Sequence, residues 1–224
     1  MTNLENKKIL VIGGSGFVGL HLIKRLSKTD NTMTVLCKNP DKIKNFEFTK
    51  KIKLIKGNIT DYKTIEENIK NKDIIINLAA IVNPVSDFES YTDLDINCKG
   101  QLNVLEARKK VNPNSKYIFI GTRAQFGRMK KEDLPITEDY CQRPISLYGI
   151  HKQTAENYCK LYKRAFNLKS IILRLPQVYG PSLIKEKTHS IIDKFIRKSL
   201  KNEEFYVNGY GEDLKDLIYF GDVV

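Results

Sequence analysis

The segment Gly13-Gly-Ser-Gly-Phe-Val-Gly19 constrains the fold more than any other part of the chain. It follows Lys8-Ile-Leu-Val-Ile-Gly13, a short apolar run that stops at glycine and reads as a buried strand. It leads into residues 17–27, where Val18, Leu22 and Leu26 recur at helical spacing. A strand that turns through glycine into a helix leaves the first N–H groups of that helix free, and an anion is stabilised there. In this reading Gly13 permits the tight turn, Gly16 lets the backbone approach a pyrophosphate, and Gly19 permits close helix–strand packing. The spacing is G-x-x-G-x-x-G rather than G-x-G-x-x-G. The inference therefore rests on the placement between first strand and first helix, not on the glycine triplet alone.

The same alternation continues along the chain. Strands are expected at residues 32–37, 51–55, 73–78, 117–120 and 170–174, with helices at 61–69, 94–111 and 148–166 between them. Apolar strands alternating with amphipathic helices make an α/β fold with a parallel sheet covered on both faces. A doubly wound (Rossmann) sheet of order 3-2-1-4-5-6 is the leading topology. After Arg174 the texture changes. Pro176 and Pro181 bracket an expected turn, residues 191–200 read as a helix, Gly209-Tyr-Gly211 as a turn and 217–220 as a short strand. The expected division is a dinucleotide-binding domain over 1–175 and a small, incomplete C-terminal substrate-binding part over 176–224. The latter is too small for a core of its own and should pack against the sheet.

Composition narrows the function. With 41% hydrophobic and 29% charged residues the chain has globular composition. No apolar run approaches a membrane span and no apolar leader follows Met1, so a cytoplasmic protein without a membrane partner is expected. Cys37, Cys98, Cys141 and Cys159 are widely spaced, and His21, His151 and His189 lack ligand spacing; disulfides and a metal centre are not expected. The net charge of +12 is spread from Lys7 to Lys215, and Trp is absent. Nucleic acid is therefore not the expected partner, whereas a phosphate-bearing small molecule explains a basic balance. Lys50, Lys51, Lys130 and Lys131 read as solvated loop charges.

Two positions bear on chemistry. The second strand ends at Cys37 and Lys38, with no carboxylate to take ribose hydroxyls or repel a 2′-phosphate. Between NADP and NAD, this favours NADP mildly. Tyr148 and Lys152, at i and i+4, share a helix face after the fifth strand. A nearby ammonium and a cationic nicotinamide would favour the phenolate and make the tyrosine a usable base at neutral pH.

Together with Asn77-Leu-Ala-Ala80, Asp95-Ile-Asn-Cys-Lys-Gly100, Thr122, Leu173-Arg-Leu-Pro-Gln-Val-Tyr-Gly-Pro181 and Gly209-Tyr-Gly-Glu-Asp-Leu-Lys-Asp216, these motifs resemble the extended short-chain dehydrogenase/reductases. The similarity is to the nucleotide-sugar epimerases, dehydratases and reductases, and it runs along essentially the whole chain. The resemblance implies Tyr148 as general acid/base and Thr122 as hydrogen-bond donor to the same substrate oxygen. It implies Lys152 on the nicotinamide ribose, and Asn97 as the residue that orients the central helix and a relay water. It assigns the cofactor to Gly13, Ser15, Gly16, Phe17, Val18, Gly19, Lys38, Asn58, Ile59, Leu78, Ala79, Ala80, Tyr148, Lys152 and Pro176. It assigns a nucleotide-diphosphate sugar to Thr122, Arg123, Gln177 and Lys215. A homodimer through the helices carrying Asn97 and Tyr148 is an open expectation.

Departures from the family pattern matter as much. Arg123 and Ala124 stand where a dehydratase has an acidic pair, so water elimination lacks its proton donor. Asn58 replaces an adenine-binding Asp, Gln177 a substrate-touching Asn, and Lys215 an Arg, which keeps charge but loses the bidentate fork. Family members continue well beyond the segment matching Tyr219-Phe-Gly-Asp222. The expected activity is a nucleotide-sugar epimerase working by transient oxidation at C4. The alternatives are an NADPH-dependent 4-keto-sugar-nucleotide reductase or, given the short C-terminal part, a non-catalytic dinucleotide-binding protein.

Overall fold

A computed structural model of the chain describes residues 5–82, 90–184, 190–207 and 214–224. Six parallel strands form the main sheet: β1 (Lys8–Ile12), β2 (Thr32–Cys37), β3 (Lys53–Lys56), β4 (Ile74–Asn77), β5 (Lys116–Thr122) and β6 (Ser170–Leu175). Their order is β3-β2-β1-β4-β5-β6, the doubly wound arrangement expected from the alternation. The order reverses between β1 and β4, so a crevice opens at the carboxyl ends of those strands.

The period-two alternation of each strand divides the core. On one face Leu10, Ile12, Leu36, Ile75, Tyr117 and Phe119 meet three helices: α2 (Tyr62–Ile69), α4 (Gly100–Val111) and α5 (Leu147–Phe166). On the other, Ile9, Val11, Met33, Val35, Ile74 and Ile76 meet Leu20 and Ile23 of α1 (Phe17–Leu26). Of the described helices, none is long and apolar enough to cross a membrane.

The glycine loop owes its path to two close approaches. Gly13 has φ +81°, and a Cβ there would lie 2.5 Å from the Ala79 amide nitrogen. A Cβ on Gly19 would lie 2.7 Å from the Gly14 Cα, so the first turn of α1 sits directly on the loop.

Two elements differ from expectation. The helix expected at 94–111 begins earlier, at α3 (Ser90–Leu94), and passes through a π-helical turn, Asp95–Lys99, before α4. Ile96, Asn97 and Cys98 are all buried in that turn, which the helix achieves by packing both at the sheet end and on α5. The expected turn between Pro176 and Pro181 contains a strand, β7 (Gln177–Tyr179), paired in parallel with β8 (Leu217–Tyr219). Its partner lies forty residues on in sequence (177 to 217), out of reach of local pattern. The turn expected at Gly209-Tyr-Gly211 lies outside the described residues.

The residues after β6 are fastened to α1 from outside. His21 Nε2 lies 2.9 Å from the Pro181 carbonyl, and its ring centroid is 3.7 Å from that of Phe220 in the short helix α7 (Phe220–Val223). Leu183 and Ile184 pack on the α1 face of the core. His21 is thus a buried packing residue.

Gly19→Ala should lower unfolding stability by about 1–3 kcal/mol, because the new methyl meets backbone that cannot move alone. Urea unfolding measures this. A variant as stable as the parent would show that the helix–loop contact yields without cost.

Candidate functional site

A cavity of ≈ 290 Å³ lies at the carboxyl ends of β1 to β4. Ile12, Gly13, Ser15 and Gly16 wall one side, and Leu36, Cys37 and Lys38 close the end of β2. Gly57, Asn58, Ile59, Leu78, Ala79, Ala80, Ile81 and Ile96 complete it. The lining is mostly apolar and includes no carboxylate. Beside it α1 starts at Gly16, with no side-chain cap and no acidic residue in its first turn. The N–H groups there are available to an anion, which suits the pyrophosphate of a dinucleotide.

Nine of the residues assigned to the cofactor from sequence line this cavity: Gly13, Ser15, Gly16, Lys38, Asn58, Ile59, Leu78, Ala79 and Ala80. Phe17, Val18, Gly19, Tyr148, Lys152 and Pro176 do not. Phe17 turns its ring toward His21 and Phe220 instead, with centroids 5.1 and 6.4 Å away. The sequence assignment missed Ile12, Leu36, Cys37, Gly57, Ile81 and Ile96. Ile12 and Cys37 end their strands, so strand ends would have been the signal. Burial pushes the Cys37 thiol up, against hydrogen bonds from Ser15 and the Asn39 backbone. Asn58 Oδ1 accepts from the Thr60 amide at 3.3 Å. Asn77 shapes the β4 loop: its Oδ1 accepts from the Ala79 amide at 3.1 Å, while its Nδ2 donates to Gln101 and Tyr117.

A second cluster forms where β5 ends. Thr122 caps the tight turn Arg123–Phe126, its Oγ1 accepting from the Ala124 amide at 3.2 Å and its own amide donating to Gln125 Oε1 at 2.9 Å. Ser146 caps α5 through the Gly149 amide, which sets Tyr148 in the first turn of that helix. The Thr122 hydroxyl is brought to the Tyr148 phenol and eases loss of its proton. Lys152, one turn on, is buried, with Nζ 4.3 Å from the Phe119 ring centroid.

The electrostatics correct the sequence expectation. Burial first, and then the Asp93 charge, push the Tyr148 phenol up to about 12 against the pull of Thr122. Burial also pulls Lys152 itself down to about 8. Within the protein alone the phenol therefore keeps its proton at neutral pH.

Asn97 lies in the π-helical turn, where Nδ2 donates to the Ile81 carbonyl at 3.1 Å and to Asp93 Oδ1 at 2.8 Å. Arg123 is half-buried in the turn after Thr122. Gln177 lies in β7 and its amide donates to the Asp216 carbonyl at 3.2 Å, which places it beside the stretch carrying Lys215. The residues assigned to the sugar nucleotide thus fall on two elements, the turn after β5 and the start of the small sheet.

Sequence reasoning missed the network that holds this cluster. Glu156 has no exposed side-chain surface, and Arg174 of β6 grips it through Nε at 2.9 Å and Nη2 at 2.6 Å. Gln125 donates to it at 2.8 Å and Lys160 at 2.6 Å. Burial raises the carboxyl, but these donors outweigh it and hold Glu156 at about 2. The signal was present: Glu156 continues the face of Tyr148 and Lys152 at steps of four.

The model of the NAD dependent epimerase/dehydratase family matches residues 9–224. A putative UDP-glucose 4-epimerase of Methanocaldococcus jannaschii is 33% identical over 218 residues, spanning 96% of this chain and 70% of that protein. A solved UDP-N-acetylglucosamine 4-epimerase from Methanobrevibacter ruminantium, in complex with UDP-N-acetylmuramic acid, superposes with TM-score 0.88 at 28% identity. The match covers 98% of this chain and 71% of that one. A tyrosine-to-phenylalanine mutant of UDP-glucuronic acid 4-epimerase from Bacillus cereus, in complex with UDP-4-deoxy-4-fluoro-glucuronic acid and NAD, superposes with TM-score 0.83 at 25% identity. That match covers 96% of this chain and 70% of its counterpart.

The Glu156 network predicts an acid dependence. Its folded value lies below the ordinary 4.5, so its stabilisation is complete above 4.5 and is lost as pH falls toward 2. Glu156→Gln should cost about 3–5 kcal/mol at neutral pH, since Arg174 loses its counter-ion. It should also flatten the loss between those two pH values. Urea unfolding across that range reads both, and identical slopes for variant and parent would remove Glu156 from the account.

Proposed function

Because the chain belongs to the NAD-dependent epimerase/dehydratase family, we propose that it epimerises a nucleotide-diphosphate sugar by transient oxidation at C4. What supports the reading is the juxtaposition of Thr122 and Tyr148, with Lys152 one turn along the same helix, at the end of a sheet that also carries the glycine loop. In this reading residues 1–175 hold the dinucleotide and 176–224 contribute to the sugar-nucleotide site. NAD(P), when bound, supplies the acceptor and donor of hydride. Gly13, Ser15 and Gly16 would hold its pyrophosphate and Lys152 its nicotinamide ribose.

The chain's own groups do the rest. Tyr148 takes the proton of the C4 hydroxyl and later returns it. Thr122 shares its hydrogen bond with the same oxygen and so fixes the phenol's direction. The burial that holds Tyr148 at about 12 must be offset before it can act as a base, and the positive charge of an oxidised nicotinamide has the sign to do so. Arg123, Gln177 and Lys215 face the sugar nucleotide, with Lys215 supplying charge for its diphosphate. Arg123 and Ala124 directly after Thr122 offer no carboxylic acid, which speaks against water elimination.

An NADPH-dependent 4-keto-sugar-nucleotide reductase would use the same residues. The observation favouring it is the carboxylate-free cavity with Lys38 directly after β2, a lining without a negative charge to oppose a 2′-phosphate. Cofactor that stays with the protein through purification favours the epimerase, and free exchange with NADPH the reductase.

Tyr148→Phe should abolish turnover of UDP-glucose or UDP-N-acetylglucosamine while leaving NAD affinity within about twofold, since the hydroxyl serves chemistry rather than holding the dinucleotide. Mass spectrometry of the incubated nucleotide sugars and calorimetry with NAD make the two measurements. Turnover equal to the parent would end the assignment. Lys38→Asp should shift the ratio of NADP to NAD affinity toward NAD by about tenfold, the worth of one charge contact. An unchanged ratio in calorimetric titrations would make Lys38 a bystander.

A further inference from the structure

A buried carboxylate meets α5 at His151, between Tyr148 and Lys152 in the sequence. Asp93, in α3, has no accessible surface. Its Oδ1 accepts from Asn97 Nδ2 at 2.8 Å and sits 2.6 Å from His151 Nδ1. Asp93 Oδ2 and Asn97 Oδ1 are buried without a hydrogen-bond partner among the described residues. An ionised carboxylate in that position is costly unless donors compensate it. His151, three residues after Tyr148 and one before Lys152, is therefore a principal compensating group. The contact spans fifty-eight residues and ties α5 to the helix carrying Asn97. Cys98 adds a second tie, its Sγ donating to the His151 carbonyl at 3.4 Å.

The charge of Asp93 reaches the acid–base pair. It opposes loss of the proton from Tyr148 and from Cys98, and it favours the ammonium of Lys152. Among the described residues, the titratable groups around this point are Tyr148, His151, Lys152 and Cys159 on α5, Asp93 on α3 and Cys98 in the π-helical turn, with the Thr122 hydroxyl at the end of β5. The carboxylate of α5 itself, Glu156, is occupied by Arg174, Lys160 and Gln125.

We propose that Asp93 and His151 form a positioning dyad for Tyr148. Their bond holds the first turns of α5 against α3 and the π-helical turn, and the carboxylate acts on Tyr148 only to the extent that His151 leaves its charge uncompensated. Asp93 and His151 touch no reacting atom in this account; they act through Tyr148. The catalytic meaning rests on the reading of Tyr148 as the acid/base, but the electrostatic coupling does not.

The test is the ultraviolet titration of tyrosinate in the full chain saturated with NAD. The chain has eleven tyrosines, so the Tyr148 signal is taken as the difference from the same protein carrying Tyr148→Phe. Asp93→Asn, nearly isosteric, should lower the Tyr148 midpoint by about one unit, the effect of removing one nearby like charge. His151→Ala removes the donor from Oδ1 and leaves the charge less compensated, so it should raise the midpoint. The double variant should match Asp93→Asn, because the histidine acts only through the carboxylate. A merely structural role predicts otherwise: both single variants would loosen the site and move Tyr148 the same way, toward its ordinary value. An unchanged midpoint in Asp93→Asn, or shifts of one sign in both single variants, overturns the proposal. Should Asp93→Asn fail to unfold cooperatively, His151→Ala decides alone: a rise supports the dyad, and a fall or no change overturns it. Normal turnover by Tyr148→Phe would remove the acid/base reading without touching the titration result.

Discussion

Glu156 is a carboxylate with no solvent to satisfy it, and the geometry of the reactive end follows from how its oxygens are filled. Arg174 approaches from β6, Gln125 from the turn after β5 and Lys160 from the next turn of α5. The donors come from three elements that share no local sequence, so the ion fixes their relative positions at once. Gln125 also receives the Thr122 amide, and the Thr122 hydroxyl in turn acts on Tyr148. The hydroxyl pair at the mouth of the site is thereby tied, through two side chains, to an ion pair in the interior. A site built this way holds its geometry without help from a ligand, which is what catalysis by orientation needs.

The cleft at the carboxyl ends of β1 to β4 uses a different device. There the positioning comes from backbone meeting backbone, Gly13 against Ala79 and Gly19 against Gly14. Side chains contribute mainly an apolar lining and, at Asn77, a bond that shapes the loop after β4. The crevice lies where the strand order reverses, so its place is a consequence of topology more than of any one residue. The two devices meet along the helix that runs from Ser90 through the π-helical turn. Ile96 lines the cleft while Asp93 and Cys98 bond to His151 of α5.

Burial sets the chemistry of the pair Tyr148 and Lys152. It pushes the phenol up to about 12 and the ammonium down to about 8, so both side chains are biased toward their neutral forms. A site so arranged responds strongly to any charge brought into it, because little water is present to screen that charge. Asp93 already illustrates the sensitivity, acting on both residues from the neighbouring helix.

Local pattern in the chain was enough for the sheet, the glycine loop and the shared helix face of Tyr148 and Lys152, whereas Thr122 and Asn97 entered only through the resemblance to the family. Strand β2 and helix α6 (Ile191–Leu200) have the bounds read from pattern alone. These features are legible because hydrophobic period, glycine punctuation and helix spacing act within a few residues. The π-helical turn, the strand inside the Pro176–Pro181 stretch, the Glu156 network and the Asp93–His151 contact came from folding in three dimensions. Apart from Lys160, four residues from Glu156, their partners are distant in the chain: Arg174 lies eighteen residues from Glu156, β8 forty from β7 and His151 fifty-eight from Asp93. The sign of the Tyr148 shift belongs with them. A lysine four residues away suggests a lowered value, but the folded chain places that ammonium over Phe119 and removes water from the phenol. Spacing fixes which side chains share a helix face, whereas the energy of a charge depends on what the whole chain packs around it.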